Sequence, residues 1–333
     1  MVHTARKSAD GLLRVGVIGV GVMGSNHARV FVDMPGVKLV GVVDPDANQR
    51  DFVTKALGCA GYDSVEALLD AGVDAVTIAA PTHLHHGMAL TCIARGVHVL
   101  VEKPIASSVE EGREIIAAAR REGVTLMVGH VERFNPAVEA IKNAIRGEDI
   151  LSIAITRVGP FPPRMSNVGV VIDLAVHDID LIRWFTDSDI IEVQPQLSSA
   201  VAEREDIALL QFRTASGVLA HINTNWITPF KARSVTIATR GKYLTGDLLT
   251  RQVTECFGFQ PDGAYSMRHV SVGHDEPLRA ELIAFVAAVR GENPPAVTGE
   301  EGVASLEVAT RCLEGRSTSM APSSWKVPRR VAG

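Results

Sequence analysis

A glycine-rich segment near the N-terminus constrains the fold more than any other part of the sequence. A β-branched run typical of a buried parallel strand ends at Gly19, and Gly21 and Gly24 complete a GxGxxG pattern at the start of a predicted helix. In this context the first glycine permits a tight turn, the second lets a pyrophosphate approach the backbone, and the third allows close helix–strand packing. Amides at the helix start, including those of Val22 and Met23, would bind the phosphates. The segment therefore predicts a dinucleotide site.

An acidic residue supports this prediction. Asp44 ends the second predicted strand, about 20 residues after Gly24, which is the spacing at which dinucleotide sites carry an acid. A carboxylate there would bind the adenosine ribose hydroxyls and repel a 2′-phosphate, so NAD is favoured over NADP. The alternative, a glycine-rich turn without a ligand, explains neither the acid nor its spacing.

Strands and helices alternate along the first part of the chain. This alternation predicts a doubly wound parallel sheet, that is, an α/β Rossmann domain over residues 12–131. Ser64 is predicted to cap the start of a short helix within it. The predicted strands are 13–19, 38–44, 74–80, 97–102 and 124–129.

After Phe134 the rhythm changes. Strand-like runs follow one another with short connections, which favours antiparallel neighbours. We therefore predict an α+β domain with an open, mainly antiparallel sheet over 132–315, for substrate binding and oligomerisation, and a tail at 316–333. Its predicted strands are 150–158, 192–199, 207–213, 218–225 and 234–238, and its helices are 136–146, 171–186, 276–290 and 300–314.

Composition narrows the function classes. A length of 333 residues suits two domains, and a net charge of −5 with scattered basic residues gives no electrostatic basis for nucleic-acid binding. The four cysteines form no CxxC pair, so reduced thiols of a cytoplasmic protein are expected. The sequence shows no signal peptide and no apolar run of about 18 residues, so no membrane span is expected.

The fourth predicted strand ends in Glu102, Lys103 and Pro104. In an open α/β sheet the carboxyl ends of the strands face the ligand crevice, so Lys103 is expected beside the nicotinamide. A partly desolvated lysine next to a cationic cofactor can take part in proton transfer. The alternative is an ordinary surface lysine. We also predict that the Lys103–Pro104 peptide bond is cis.

A mostly apolar helix over 171–185 carries one polar stripe. Asp173 and His177 are four residues apart and share a face, and Asp180 lies on the same side one turn further. Histidine is the usual general base near neutral pH, and Asp173 could orient it or bind a substrate hydroxyl. The alternative for His177 is a structural histidine of the core. Asp178 and Asp180 are expected to be structural.

These motifs together resemble the Gfo/Idh/MocA family of oxidoreductases, from residue 13 to about residue 313. The resemblance implies that Lys103, Asp173 and His177 carry catalysis. It rests on residues 19–24, 81–85 (PTHLH) and 102–104 (EKP), and on Asp173 with His177.

The same resemblance implies further cofactor-binding residues, namely Pro81, Thr82, His85, Glu102 and Lys103. Thr82 stands where the family usually has asparagine, although its hydroxyl can still donate a hydrogen bond. The neighbouring histidines at 83, 85 and 86 are not expected to bind zinc, because no carboxylate or cysteine stands near them in the sequence. No metal is expected.

A narrower resemblance concerns a branch of the family that oxidises the 3-hydroxyl of nucleotide sugars. It rests on 129–136 (GHVERFNP), 161–164 (FPPR), 169–180 and 234–248. It makes Arg133, Asn135, Arg157 and Arg164 candidates for binding substrate hydroxyls or a diphosphate, because arginine suits bidentate phosphate contacts. Structural ion pairing is the alternative for each of them.

The predicted function is therefore NAD-dependent hydride transfer between a sugar carbon and the nicotinamide. His177 would remove the hydroxyl proton, Lys103 would polarise the forming carbonyl, and Asp173 would position His177 or the sugar. The alternatives are an inositol or polyol dehydrogenase, a keto-sugar reductase, and an NAD-assisted hydrolase, which would need a metal. A non-catalytic NAD-binding sensor would need neither Lys103 nor His177.

Assembly can also be predicted from the second half of the chain. Apolar residues alternate in 207–213 and 218–225, which leaves one face of the predicted sheet to be covered. This pattern fits a homodimer formed sheet to sheet, or a homotetramer built from it.

Overall fold

The computed structural model describes residues 11–161 and 168–315. The predicted tail at 316–333 and the candidate Arg164 lie outside the described residues. Within them the chain forms two sheets, with helices packed around the first and against one face of the second. The predicted fold class, a Rossmann domain followed by an α+β domain with a mainly antiparallel sheet, is confirmed.

The first sheet contains six parallel strands in the order β3-β2-β1-β4-β5-β6. All five predicted strands are present, and β3 was missed because it has only three residues, with little burial. The strands are β1 (Leu13–Ile18), β2 (Val37–Val43), β3 (Ala60–Tyr62), β4 (Ala75–Ile78), β5 (His98–Glu102) and β6 (Leu126–Gly129).

Five helices connect these strands. Ser64 accepts a hydrogen bond from the Ala67 amide, which confirms its predicted capping role, and Ser108 caps a later helix in the same way. The helices are α1 (Val22–Val32), α2 (Ala47–Leu57), α3 (Val65–Asp70), α4 (Thr82–Ala94) and α5 (Val109–Glu122).

The second sheet has eight strands in the order β14-β13-β12-β11-β7-β10-β9-β8. Only the β7–β10 pair is parallel. The strands are β7 (Ile150–Pro160), β8 (Ile190–Ser198), β9 (Ile207–Thr214), β10 (Leu219–Asn225), β11 (Ile227–Thr239), β12 (Lys242–Asp247), β13 (Gln252–Phe257) and β14 (Ser266–Val270). The last three strands were not predicted, because their outward positions interrupt the apolar pattern.

The predicted helix over 171–186 is divided into two parts. A π-helical turn over Val171–Ala175 comes first, and a regular helix follows it. A π-turn widens the helix locally, and such turns are frequent at functional sites. The other helical elements here are a 3₁₀ turn at Val131–Phe134 and the helices α6 (Pro136–Ala144), α7 (Val176–Thr186), α8 (Pro277–Val289) and α9 (Gly299–Glu314).

Buried apolar side chains form two clusters, one on each sheet. Helix α8 returns to the first of them, where Leu282 and Phe285 are fully buried. Burial of each such side chain contributes about 1.5–3 kcal/mol. Helix α9 contributes Leu306 to the first cluster and Ala309 to the second. Helix α9 therefore packs against both β6 of the first sheet and α7, while α8 packs against α1 and the 3₁₀ turn at Val131–Phe134.

The second sheet has one open face. Burial alternates strictly along β9 and β10, so every second side chain points away from the core. Leu209 and Leu219 lie on this outward side and are 50% and 51% exposed. Polar side chains, among them Gln211 and His221, surround them.

Among residues 11–161 and 168–315, every helix is too short or too polar to cross a bilayer.

Candidate active site

The glycine-rich loop has the geometry of a phosphate cradle. Gly19 adopts a φ of +82°, and a Cβ placed on it would lie 2.8 Å from the Cα of Ala80. A Cβ on Gly24 would lie 1.8 Å from the carbonyl oxygen of Gly19, so α1 can pack here only with a glycine. Around the Cβ position of Gly21 the described residues leave open space out to 4 Å, and none of their side chains caps α1. The first amides of α1 thus fit a pyrophosphate.

Val22, Met23 and Asp44 complete this end of the first sheet. Val22 and Met23 begin α1 and are 71% and 36% exposed, as residues beside a ligand cradle would be. The Asp44 carboxylate accepts hydrogen bonds from the Val20 amide and the Asp46 amide, each at 2.9 Å. These bonds hold Asp44 against the glycine-rich loop, and each oxygen keeps a lone pair for a ribose hydroxyl.

The loop after β4 carries Pro81, Thr82 and His85. Thr82 begins α4, and Pro81 precedes it. His85 is buried, and its ring nitrogens lie 2.8 Å from the carbonyl oxygen of Ala80 and 2.9 Å from that of Pro104. Burial lowers the pKa of His85. His85 therefore ties the loop after β4 to the loop after β5, so its contribution to cofactor binding would be to hold these loops together.

Lys103 and Asp173 bring the two halves of the chain together. The Lys103–Pro104 bond is cis, as predicted. Lys103 Nζ donates to the Asp173 carbonyl oxygen at 2.7 Å and lies 3.3 Å from Asp173 Oδ1. The two side chains remain 17% and 20% exposed, so the pair borders a cleft. The predicted meeting of the EKP segment with the polar stripe before α7 is confirmed.

His177 lies on the first turn of α7, four residues after Asp173. Its Nδ1 atom is buried and has no hydrogen-bond partner among the described residues. Burial lowers the pKa of His177 well below its usual range, and the charges of Lys103, Arg157 and Arg233 lower it further. The ring is therefore neutral at physiological pH, which is the state that can accept a proton.

Asp173 has a different partner from the one considered in the sequence. Its carboxylate faces Lys103, because the π-helical turn at Val171–Ala175 precedes the regular spacing of α7. The pairing predicted from the i,i+4 spacing assumed an α-helix throughout. In the structure Asp173 is placed to orient the Lys103 ammonium.

Two of the arginines considered as substrate ligands form buried ion pairs. Arg157 is 2% exposed and binds Asp178 and Glu132 at 2.8 Å. These carboxylates raise the pKa of Arg157 despite its burial. Arg133 is 5% exposed and binds Asp180 at 2.7 Å. The contacts support the structural role that the sequence left open for both arginines, and they identify the partners of Asp178 and Asp180.

Asn135 also makes structural contacts. Its Oδ1 accepts from the Ala137 amide at 3.1 Å and so caps α6, while its Nδ2 donates to the Leu248 carbonyl at 3.2 Å. Arg233, which the sequence did not single out, is more exposed than the other two arginines of this cluster. Its side chain is 34% exposed and donates to Glu132 at 2.9 Å.

A second titratable cluster lies behind the EKP segment. Glu102 Oε1 lies 3.0 Å from His27 Nε2, and Glu102 Oε2 accepts from the Lys103 amide at 3.2 Å. Glu281 on α8 is fully buried, and neither of its oxygens has a hydrogen-bond partner within the described part of the chain. One nitrogen or oxygen from each of these three side chains lies within 4.8 Å of the others. Sequence spacing gives no sign of this cluster, because α1, β5 and α8 are distant along the chain.

Charge in this cluster is unequally shared. Burial and the neighbouring Glu102 carboxylate raise the pKa of Glu281 well above its usual range. Burial opposes ionisation of Glu102 as well, but the hydrogen bond from His27 and the charges of His27 and Lys103 hold the pKa of Glu102 below its usual range. Glu102 is therefore the carboxylate and Glu281 the neutral acid. Glu102, predicted to bind the cofactor, contacts His27 and the Lys103 backbone in the structure.

The raised pKa of Glu281 leads to a stability prediction. In the unfolded chain a glutamate ionises near pH 4.3, while folded Glu281 keeps its proton to a higher pH. Its contribution to stability is fully present below pH 4.3 and is lost as the pH rises from there through the folded pKa. Glu281→Gln, which is permanently neutral, should therefore gain stability relative to wild type between pH 5 and pH 8.

Urea unfolding midpoints at several pH values would measure this effect. Glu292→Gln, at an exposed glutamate just after α8, is the control and should show no such trend. A Glu281→Gln protein that loses stability most strongly at high pH would show that Glu281 is ionised in the folded chain.

Comparisons with known proteins agree with this geometry. Residues 13–130 match the family model described as the oxidoreductase family with an NAD-binding Rossmann fold, and residues 152–244 match the GFO/IDH/MocA C-terminal domain. A UDP-N-acetylglucosamine 3-dehydrogenase of Acidithiobacillus ferrooxidans is 30% identical over 308 residues, which cover 91% of this chain and 96% of that protein. An inositol 2-dehydrogenase of Rubrobacter xylanophilus is 31% identical, with 90% of each chain covered.

Solved structures lead to the same family. That of UDP-N-acetylglucosamine 3-dehydrogenase GnnA from Acidithiobacillus ferrooxidans has a TM-score of 0.85 at 29% identity, covering 91% of this chain and 97% of that one. GenD2 from gentamicin A biosynthesis, solved in complex with NAD, has a TM-score of 0.79 at 25% identity, covering 91% and 94%. The chain therefore belongs to the Gfo/Idh/MocA family and is an NAD-binding oxidoreductase that acts on CH–OH groups.

Proposed function

We propose that this enzyme oxidises the 3-hydroxyl of a nucleotide sugar, UDP-N-acetylglucosamine, with NAD as the hydride acceptor. The observation that carries the proposal is the contact between Lys103 and Asp173 at the cleft, together with a neutral His177 on which the Lys103 charge acts. The choice of substrate is supported by the UDP-N-acetylglucosamine 3-dehydrogenase that matches nearly the whole chain in sequence and in structure. We assign cofactor binding to residues 12–131, and substrate binding and assembly to residues 132–315.

Each catalytic side chain has one task in this proposal. Bound NAD supplies the acceptor for the hydride that leaves the sugar carbon. His177 accepts the hydroxyl proton, which its lowered pKa permits because the ring starts neutral. Lys103 donates a hydrogen bond to the same oxygen as it becomes a carbonyl, and Asp173 holds the Lys103 ammonium in place.

Arg233 is the side chain that we propose for the substrate side of the cleft. Its guanidinium acts electrostatically on His177, and its own pKa is lowered by burial and by Arg157, with partial compensation from Glu132. A half-exposed arginine with one carboxylate partner keeps donors for a phosphate or a sugar hydroxyl. Arg164 is kept as a second candidate for the diphosphate.

Other members of the family suggest competing substrates. Several relatives are named inositol 2-dehydrogenase, and one, from Ensifer adhaerens, is named 1,5-anhydro-D-fructose reductase. The same three catalytic side chains would serve oxidation of a free polyol, or reduction of a keto-sugar in the reverse direction. The choice between these substrates therefore depends on the residues that bind the substrate rather than on the three catalytic side chains.

A substrate screen tests the proposal. The purified protein is supplied with NAD and, in turn, UDP-N-acetylglucosamine, other UDP-sugars and myo-inositol, and NADH formation is followed by absorbance. We expect turnover with UDP-N-acetylglucosamine, together with a rise in thermal stability on its addition. Turnover with inositol alone would overturn the choice of substrate, and NAD binding without any turnover would favour a sensor.

Variants of the catalytic pair extend the test. Lys103→Ala and His177→Ala should each lower kcat by roughly 10²–10⁴-fold, the usual effect of losing an acid–base group. The affinity for NAD should change little, because the contacts of the glycine-rich loop remain. Lys55→Ala and His269→Ala, at exposed positions, are the controls. A His177→Ala enzyme with wild-type kcat would show that His177 is a structural histidine and not the base.

Asp44 should determine the preference for NAD. Asp44→Asn keeps the shape of the side chain and removes its charge, so the ratio of NADP to NAD dissociation constants should fall about fivefold or more. Two unit charges about 4 Å apart repel by about 1 kcal/mol even in bulk water. Titration calorimetry would measure both constants, with Asp51→Asn on α2 as the control. An unchanged ratio would remove Asp44 from ribose recognition.

We also propose that the open face of the second sheet joins two copies of the chain into a homodimer, or into a tetramer built from such dimers. The exposed Leu209 and Leu219 supply its apolar centre. Leu209→Arg combined with Leu219→Arg should shift the mass measured by light scattering towards that of a monomer. Leu249→Arg, at a residue 45% exposed in the turn after β12, should leave the mass unchanged. A monomeric wild-type protein at micromolar concentration would contradict the proposal.

A further inference from the structure

His177 lacks the support that a general base usually has. When a histidine accepts a proton it becomes a cation, and a nearby carboxylate normally stabilises that charge. Around His177 the charges of Lys103, Arg157 and Arg233 oppose a positive charge on its ring, and so does His130 when His130 is itself protonated. Asp173, the carboxylate on the preceding turn, is held by Lys103. An imidazolium at His177 therefore needs a partner on its buried side.

The buried side of His177 faces a second histidine. His130 follows β6, and its ring meets that of His177 edge to face, with a centroid distance of 6.2 Å and an interplanar angle of 86°. Both Nδ1 atoms are buried, and neither has a hydrogen-bond partner in the described residues. Two imidazoles that each leave a buried nitrogen unpaired are costly, unless a shared water molecule bridges the two nitrogens.

His130 in turn reaches a carboxylate. Its Nδ1 lies 3.9 Å from Asp180 Oδ2. Asp180 cannot turn away, because Arg133 binds both of its oxygens at 2.7 Å and Ser305 donates to one of them at 3.3 Å. A water molecule between the two Nδ1 atoms and Asp180 Oδ2 would have three polar partners, as a stable buried water requires.

We propose that His130 is a positioning residue for the reaction: it accepts the Nδ1–H of His177 and couples the charge that His177 acquires to Asp180. This inference rests on the proposed role of His177 as the base. With its proton on Nδ1, neutral His177 presents Nε2 to the substrate hydroxyl. As Nε2 takes the hydroxyl proton, the Nδ1 proton moves towards His130 through the bridging water. No proton is gained or lost beyond the one that leaves the substrate.

The charged groups around His130 are consistent with this role. Burial lowers the pKa of His130, so its ring starts neutral and can accept a hydrogen bond. Asp180 on α7 and Glu102 on β5 favour a positive charge on it, while Arg133 and Lys103 oppose one. Because Asp180 is the nearest of these charges to the ring in the network above, it can compensate a proton shared between the two histidines.

Two variants of His130 separate positioning from bulk packing. His130→Phe keeps an aromatic ring and removes both nitrogens, whereas His130→Gln keeps an acceptor for the His177 Nδ1–H. We expect His130→Phe to lower kcat about 10- to 100-fold. This effect is smaller than the roughly 10²–10⁴-fold decrease expected when the base itself is removed. His130→Gln should have a kcat between those of His130→Phe and the wild type. The acidic limb of kcat/KM should move to lower pH in His130→Phe, because the His177 imidazolium is less stabilised. His98→Gln, at another buried histidine on β5, is the control and should keep the wild-type pH profile.

A second measurement does not depend on the substrate. In ¹⁵N-histidine-labelled protein loaded with NAD, the nitrogen shifts report the tautomer of His177. We expect the Nδ1–H tautomer in wild type and in His130→Gln, and a shift towards the Nε2–H tautomer in His130→Phe. An unchanged tautomer in His130→Phe, or a wild-type pH profile for that variant, would overturn the inference. If no substrate is turned over, the proposed function fails, while the NMR result still decides the role of His130.

Discussion

The structure depends on buried charge pairs on two sides of α7. Asp178 and Asp180 are at most 1% exposed, and each could be buried only because an arginine reaches it from another element. Arg157 comes from the central strand β7, and Arg133 comes from the 3₁₀ turn after the first sheet. Loss of one partner from such a pair typically costs about 3–5 kcal/mol, because the other charge stays buried and uncompensated. These pairs therefore determine where α7 lies relative to both sheets.

The position of α7 then determines the chemistry of the cleft. His177 precedes Asp178 directly, so the ion pair that anchors the helix also fixes the position of the imidazole. The guanidinium of Arg157 helps to keep that imidazole neutral. The same interactions that hold α7 in place thus also position His177, the residue that we propose as the base.

On the other side of the cleft, the neutral Glu281 has a similar role. It packs against the Glu102 carboxylate, whose second oxygen accepts from the Lys103 amide. A buried pair of carboxyls that shares one negative charge holds the EKP segment at lower electrostatic cost than two charges would. Lys103 is thus held at its backbone by the first domain and at its ammonium by Asp173.

Much of this architecture could be predicted from local sequence. The dinucleotide loop could be predicted from the glycine spacing and Asp44, because the geometry of this turn depends on a few adjacent residues. The position of Lys103 at the cleft could be predicted because the strand ends of a parallel sheet face one crevice. The partners of Arg133 and Arg157 could not be predicted, because a sequence shows that an arginine is present without showing which carboxylate it will meet. Strands β12 to β14 were missed for a related reason, since their pattern reflects cross-strand neighbours more than intrinsic preference.

The sequence by itself thus determined the fold class, the dinucleotide loop and the identity of the three catalytic candidates, because each depends on spacing along a single element. Only the tertiary structure decided that Asp173 faces Lys103, that two predicted substrate ligands are buried ion-pair residues, and that His27, Glu102 and Glu281 meet. The same holds for His130 and His177. Those contacts join elements that are distant along the chain, and the energy of a buried polar group depends on which partner folding brings within a few ångströms of it.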